Sequence, residues 1–404
     1  MIRKVINVFS YSVFSKALLG VATLLIIRDL QQEQYAIYSY SLAIVGFMSQ
    51  SISVAFNRIY IIGFNEFGSD TDGNQLLGGQ YVLMLGGALF IYPFIQISDA
   101  LFAIIISVVF LTSTTEFLKT MYQKNAKFNK YSLIDLGKNI FFLGALSILV
   151  LYQKSEILAI HILFLQSLAM FFLVIPILGL KRIYDAFFGM RKGLIICKKI
   201  ALSKYKYLFG YFIVLAFFSQ LDIFMLEILS HEKELANYGA GFRFYSLLLM
   251  ALGAVHVVLI PMIQEVVQKS DLRKLYLKHR NLTLVFTPMV LIISWLSQWF
   301  IPLIDEGKYP IAIDVFQVLS FSSIISFGFS PYAHFLMRFE KFKYLFILIC
   351  MGVVLNIILN ISFIPVYGSI GAAWATLFAF ALVNAAIYLY AKLIYVQTSN
   401  VFYK

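Results

Sequence analysis

Long apolar runs, broken by short polar links, recur along this chain from one end to the other. Twelve of them reach the roughly 20 residues that an α-helix needs to cross a bilayer: 6–27, 35–63, 76–97, 101–119, 131–152, 157–179, 207–229, 236–264, 282–303, 312–336, 343–365 and 370–396. Strands of a membrane barrel would instead show about ten residues of alternating polarity. The pattern predicts an all-α integral membrane protein with about 12 transmembrane helices. Composition agrees: 61% of the 404 residues are hydrophobic and 13% are charged, against about 25% charged in soluble domains.

Charge then orients the spans. On an N-in topology, 24 of the 32 Lys and Arg fall on the cytoplasmic side. Four (Arg28, Lys154, Lys233, Lys308) fall on the other, and four (Lys16, Arg58, Lys138, Arg243) lie inside spans. An excess of Lys and Arg marks the cytoplasmic side, so both termini are expected there. The acidic loop NEFGSDTDGNQ (65–75) also falls on that side, but acidic residues weigh little in orientation. The net charge of +12 is accounted for by this asymmetry and implies no nucleic-acid partner. The opening MIRK leads into an apolar segment with no small-residue cleavage pattern, which reads as an uncleaved first helix. Cys197 and Cys350 lie in unlike settings, a basic loop and a span, so no disulfide or zinc framework is expected.

The widest basic loop, KRIYDAFFGMRKGLIICKKIALSKYKY, begins at residue 181, near the midpoint. It divides the chain into an N-terminal six-helix bundle (1–180), a basic cytoplasmic linker (181–206) and a C-terminal six-helix bundle (207–404). The halves echo one another. EQYAIYSYSLAI (33–44) and ANYGAGFRFYSLLL (236–249) each open the second span of a half, and KFNKYSLIDL (127–136) pairs similarly with KFKYLFILI (341–349). Two pseudo-symmetric bundles with an even number of spans make parallel repeats, which in transporters put the pathway between the halves.

Intramembrane charge supplies the candidate chemistry, because ionisable side chains at that depth are costly and tend to be functional. Lys16 lies in the middle of YSVFSKALLGVATLLII, Arg58 near the end of the second span, and Arg243 early in the eighth. Facing a cavity, such cations would hold phosphate by charge-assisted hydrogen bonds. Lys138, at the start of its span, is expected to snorkel. Asp222, within FFSQLDIFMLEI, is a candidate for coupling to H+ or Na+, or for an ion pair between the halves with Lys16 or Arg243. Tyr238 and Tyr245 flank Arg243 and are candidates for stacking on sugars, while His256 and His334 are candidate cavity-lining residues. Glu116, Asp135, Glu227 and Asp314 lie near span ends and are expected to face water. The five histidines show no metal-ligand spacing, and no phosphate-binding GxxxxGK[ST] loop is present, so neither a metal site nor ATP hydrolysis is expected.

Three phrases carry a family resemblance: RDLQQEQYAIYSYSLAI (28–44), SQLDIFMLEILSHEKELANYGAGFRFYSLL (219–248) and PVYGSIGAAWATLFAFALV (365–383). In order and spacing the chain resembles the Wzx-type polysaccharide flippases of bacteria, within the multidrug/oligosaccharidyl-lipid/polysaccharide exporter superfamily. Ala36 stands where glycine is usual, and Ile223 where a basic residue is usual. The resemblance implies a non-enzymatic carrier of the bacterial inner membrane. It would move an undecaprenyl-diphosphate-linked oligosaccharide to the periplasmic leaflet for O-antigen or capsule (lipopolysaccharide or other polysaccharide) biosynthesis. It further implies that helices one, two, seven and eight line the cavity, where Lys16, Arg58, Asp222 and Arg243 fall. Partners implied are membrane lipids, a polysaccharide polymerase and a chain-length regulator.

Two other readings share this pattern. A drug or metabolite antiporter of the same superfamily, coupled to a cation, would have the same fold but a less cationic cavity. A membrane polysaccharide polymerase would need a large external loop, and segments such as PLIDEGKYP (302–310) are short.

Overall fold

The computed structural model describes residues 2–62, 70–95, 97–125, 127–152, 157–265 and 268–397. Every regular element of more than one residue among them is helical, as the apolar pattern requires. The chain forms two compact units, Met1–Gln220 and Leu221–Lys404.

The first unit contains α1 (Ile2–Asp29), α2 (Gln32–Met48), a π-helical stretch (Ser49–Val54), α3 (Ala55–Ile62), α4 (Asp70–Ile91) and α5 (Asp99–Lys124). It continues with α6 (Phe128–Tyr152), α7 (Ala159–Leu178), α8 (Leu180–Phe188), α9 (Met190–Ala201) and α10 (Lys206–Phe218). One apolar core joins α4 through α8: Leu77, Phe117, Leu118, Ile134, Val174, Leu178 and Ala186 are all buried together. Residues 181–206, expected as a linker, hold most of α8 and all of α9, both packed on α4. The approach is close enough that a Cβ on Gly79 or Gly193 would run into the backbone of the facing helix.

The second unit contains α11 (Leu221–Leu229), α12 (Glu232–Glu265), α13 (Lys269–Asp305), α14 (Ala312–Arg338) and α15 (Phe342–Gln397). Leu248, Phe286, Val290 and Phe327 form a core shared by α12, α13 and α14. Within α15 the backbone breaks at Gly368 (φ 56, ψ −134), so the predicted spans 343–365 and 370–396 are separate rods. Only glycine adopts this conformation without strain. The Glu234 carboxylate fills the notch and accepts the Ser369 N–H at 2.6 Å, capping the second rod.

Eight described helices are long and apolar enough to cross a bilayer, or nine when α9 and α10, bent by 100° at their junction, are taken together. These helices mark a multi-pass membrane protein. The predicted span 207–229 is two helices in the structure, broken by the turn at Ser219–Gln220 where the units divide.

Candidate functional site

In the first unit the second span carries one wide turn. The π-helical stretch Ser49–Val54 shifts the helical phase, so the faces of α3 do not continue those of α2. Asn57 is buried and accepts from Gln80 Nε2 at 2.8 Å, while its own Nδ2 donates to Ser53 Oγ at 3.3 Å. Ser53 Oγ lies 3.2 Å from the Ser113 carbonyl of α5. This closed polar network locks the inner face of the span. Arg58, the next residue, is exposed and seats its guanidinium 5.1 Å from the centre of the Phe212 ring on α10.

A second charged group was not legible in the sequence. Lys119, at the last position of the predicted span 101–119 and counted among the cytoplasmic cations, stands well inside a helix, because α5 runs on to Lys124. Its ammonium lies 3.0 Å from both Glu116 Oε1 and Asp135 Oδ2, joining α5 to α6. Glu116 and Asp135, expected to face water, are therefore ion-paired and only about a third exposed. Lys138 stands 3.9 Å from Asp135 on the same helix. Lys16 is exposed on α1 and within electrostatic range of Asp135, and Arg58 within range of Tyr131 at this same cluster. Asn139 fixes α1 beside it, donating to the Ser15 carbonyl at 2.9 Å. The unit thus presents Lys16 and Arg58 outward from a neutralised base.

In the second unit Asp222 is buried among neutral groups. Tyr238 and Thr376 both donate their hydroxyls to Oδ2, and Asn360 donates to Oδ1 at 2.9 Å. Asn360 also donates to Asn356 at 2.8 Å, and Asn356 lies 3.1 Å from Thr376 Oγ1. With its amide turned over, Asn356 instead reaches Asp222 Oδ1 at 3.3 Å. All these partners come from the same unit and none is charged. Asn360 Oδ1 is buried without a hydrogen-bond partner. Sequence reasoning missed Asn356, Asn360 and Thr376. Their signal was two amides four residues apart on one face of an apolar span.

Arg243 is half-buried on α12. Tyr238 and Tyr245 are buried within the second unit, with the Phe242 ring about 6 Å from each. Their contacts are with the protein interior, and Tyr238 belongs to the Asp222 cage. His334 is half-buried on α14, and the side chain of His256 lies outside the described ones. No group of His, Cys, Asp and Glu suited to a metal occurs among the described residues.

No protein-family model and no curated protein matches the sequence. Solved structures do match its fold. A lipid II flippase MurJ in an inward closed conformation superposes with a TM-score of 0.74 at 17% identity, covering 97% of this chain and 88% of that one. An outward-facing multidrug resistance MATE family transporter of the MOP superfamily gives 0.63 at 11% identity, covering 97% of each chain. A Vibrio cholerae MATE transporter gives 0.57 at 14% identity, covering 98% of each. The chain therefore has the all-helical fold of the MOP-superfamily transporters.

Proposed function

We propose that this protein is a flippase for undecaprenyl-diphosphate-linked oligosaccharide units. It moves them from the cytoplasmic to the periplasmic leaflet of a bacterial inner membrane by alternating access, for O-antigen or capsule assembly. The observation that carries this reading is the exposure of Lys16 and Arg58 on apolar helices. Cations held in this way suit a diphosphate, and Arg243 on α12 is assigned to the same cargo. The fold shared with a lipid II flippase supports a lipid-linked cargo.

Coupling is assigned to Asp222, with H+ or Na+ as the ion. A buried carboxylate that accepts from two hydroxyls and one amide N–H, with no charged partner among these, suits the uptake and release of a proton or a hard cation. The same cage, with the fold shared by MATE transporters, favours a second reading: a cation-coupled antiporter of drugs or metabolites.

Deleting the gene separates the two. A flippase deletion abolishes long-chain surface polysaccharide and builds up lipid-linked units in the inner leaflet. Intact polysaccharide with raised drug or metabolite sensitivity would establish the antiporter instead.

A further inference from the structure

The basic segment after α7 does more than join two spans. α7 ends at Gly179, whose φ of 77 turns the chain directly into α8. From there α8 and α9 pack on α4, and α9 meets α10 at a bend of 100°. With α10 taken along the span direction, α9 lies close to the plane of the membrane. Gly193, Ile196, Cys197 and Ile200 bury one face of α9 in the protein.

The opposite face mixes cations with large apolar side chains. Arg191, Lys192, Lys198 and Lys199 are exposed there beside Ile195 and Leu202. On α8, Tyr184, Phe187 and Phe188 are 61%, 63% and 69% exposed, an aromatic cluster too open for a face turned to water. With Ile183 and Lys181 they line a groove of about 600 Å³. Asp185 is the single acidic residue in 181–206, and it accepts from Asn74 at 3.1 Å. None of the exposed cations of α8 and α9 forms an ion pair among the described residues.

We infer that α8 and α9 form a docking surface for anionic phospholipid headgroups, at the membrane surface where α7 ends. The aromatic groove takes the acyl region just below the headgroup, and Lys181, Arg182, Arg191 and Lys192 meet the phosphate. Charge and apolar contact on one in-plane face are what such a surface requires. The positive-inside pattern puts it on the cytoplasmic leaflet.

The test uses the full-length protein in detergent, with bound lipid counted by native mass spectrometry across titrations of phosphatidylglycerol and phosphatidylcholine. Replacing Lys181, Arg182, Arg191 and Lys192 together by Gln should weaken phosphatidylglycerol binding at least about tenfold and leave phosphatidylcholine unchanged. Replacing Arg273, Lys274, Lys278 and Arg280 by Gln, an equally basic exposed set on α13, should cost less than about twofold. The pair Phe187→Ser and Phe188→Ser should weaken both lipids and keep the salt dependence of the wild type. Equal loss in the two Gln variants, equal affinity for the two lipids, or full displacement of lipid by inorganic phosphate would each overturn the inference. If the fourfold variant does not fold, Lys192→Gln with Lys199→Gln, both exposed on α9, reads the same comparison.

Discussion

Asn360 donates a hydrogen bond to Asp222 at 2.9 Å across 138 residues of sequence, tying α15 to α11 inside the second unit. Two hydroxyls complete the ring, so the carboxylate is solvated by the protein in place of water. Asp222→Ala would leave those donors buried without an acceptor, at about 1–3 kcal/mol each, and should lower the thermal unfolding midpoint by several degrees. Asp222→Asn keeps the shape and should fold. If Asp222 carries the coupling ion, Asp222→Asn transport should no longer respond to collapse of the H+ or Na+ gradient, while cargo still binds.

Lys16, Arg58 and Arg243 should behave differently from Lys138. A hydrogen bond to a charged group contributes about 1.5–3 kcal/mol, so Lys16→Ala, Arg58→Ala and Arg243→Ala should each reduce transport about 10- to 100-fold. Lys138→Ala, which loses only a 3.9 Å contact to Asp135, should be tolerated. Transport of labelled lipid-linked cargo in proteoliposomes checks this; equal tolerance of all four removes the cationic-site reading.

Lys119 makes the opposite prediction. Lys119→Met leaves Glu116 without its cation and Asp135 without its nearest one, a kind of loss that costs about 3–5 kcal/mol at a fully buried pair. Partial exposure of both carboxylates puts the expected loss nearer 2 kcal/mol. Adding Asp135→Leu to Lys119→Met should recover part of it. The readout is the midpoint of thermal unfolding in detergent, and no recovery would mean that Lys119 acts through packing alone.

The break in α15 is open to a conservative test. Gly368→Ala forces a side chain into a positive-φ position and onto the Glu234 carboxylate, and should cost at least about 1 kcal/mol. Glu234→Gln keeps an acceptor for the Ser369 N–H but loses the charge at the helix start, costing about 0.3–1 kcal/mol. A larger loss from the glutamine than from the alanine would contradict the capping role.

Helices and membrane character were legible because burial in lipid imposes apolar length, and length survives in sequence. Which face each residue occupies was less so. Arg58 follows a π-helical turn, and no 3.6-residue period carries a face across that turn. Lys119 was hidden because polar residues near a span end look alike whether the helix stops or continues to Lys124. Asp222 was legible as an unusual residue, whereas the cage around it comes from elements that only folding brings together. Tyr35 and Tyr238, matched by position in the two halves, are both fully buried, so that echo reflects interior packing in each unit.

The charges joining α5 and α6 also bear on how the chain enters the bilayer. Glu116 and Lys119 sit three residues apart on α5, and Asp135 and Lys138 three apart on α6. Each helix therefore carries a cation of its own three residues from its carboxylate before the two helices meet. The link between Lys119 and Asp135 forms afterwards, when the rods meet. Biogenesis and final cohesion thus draw on the same four side chains in two successive pairings. Lys119→Met is accordingly expected to impair insertion of α5, read by glycosylation mapping of a reporter site, before it impairs the folded protein.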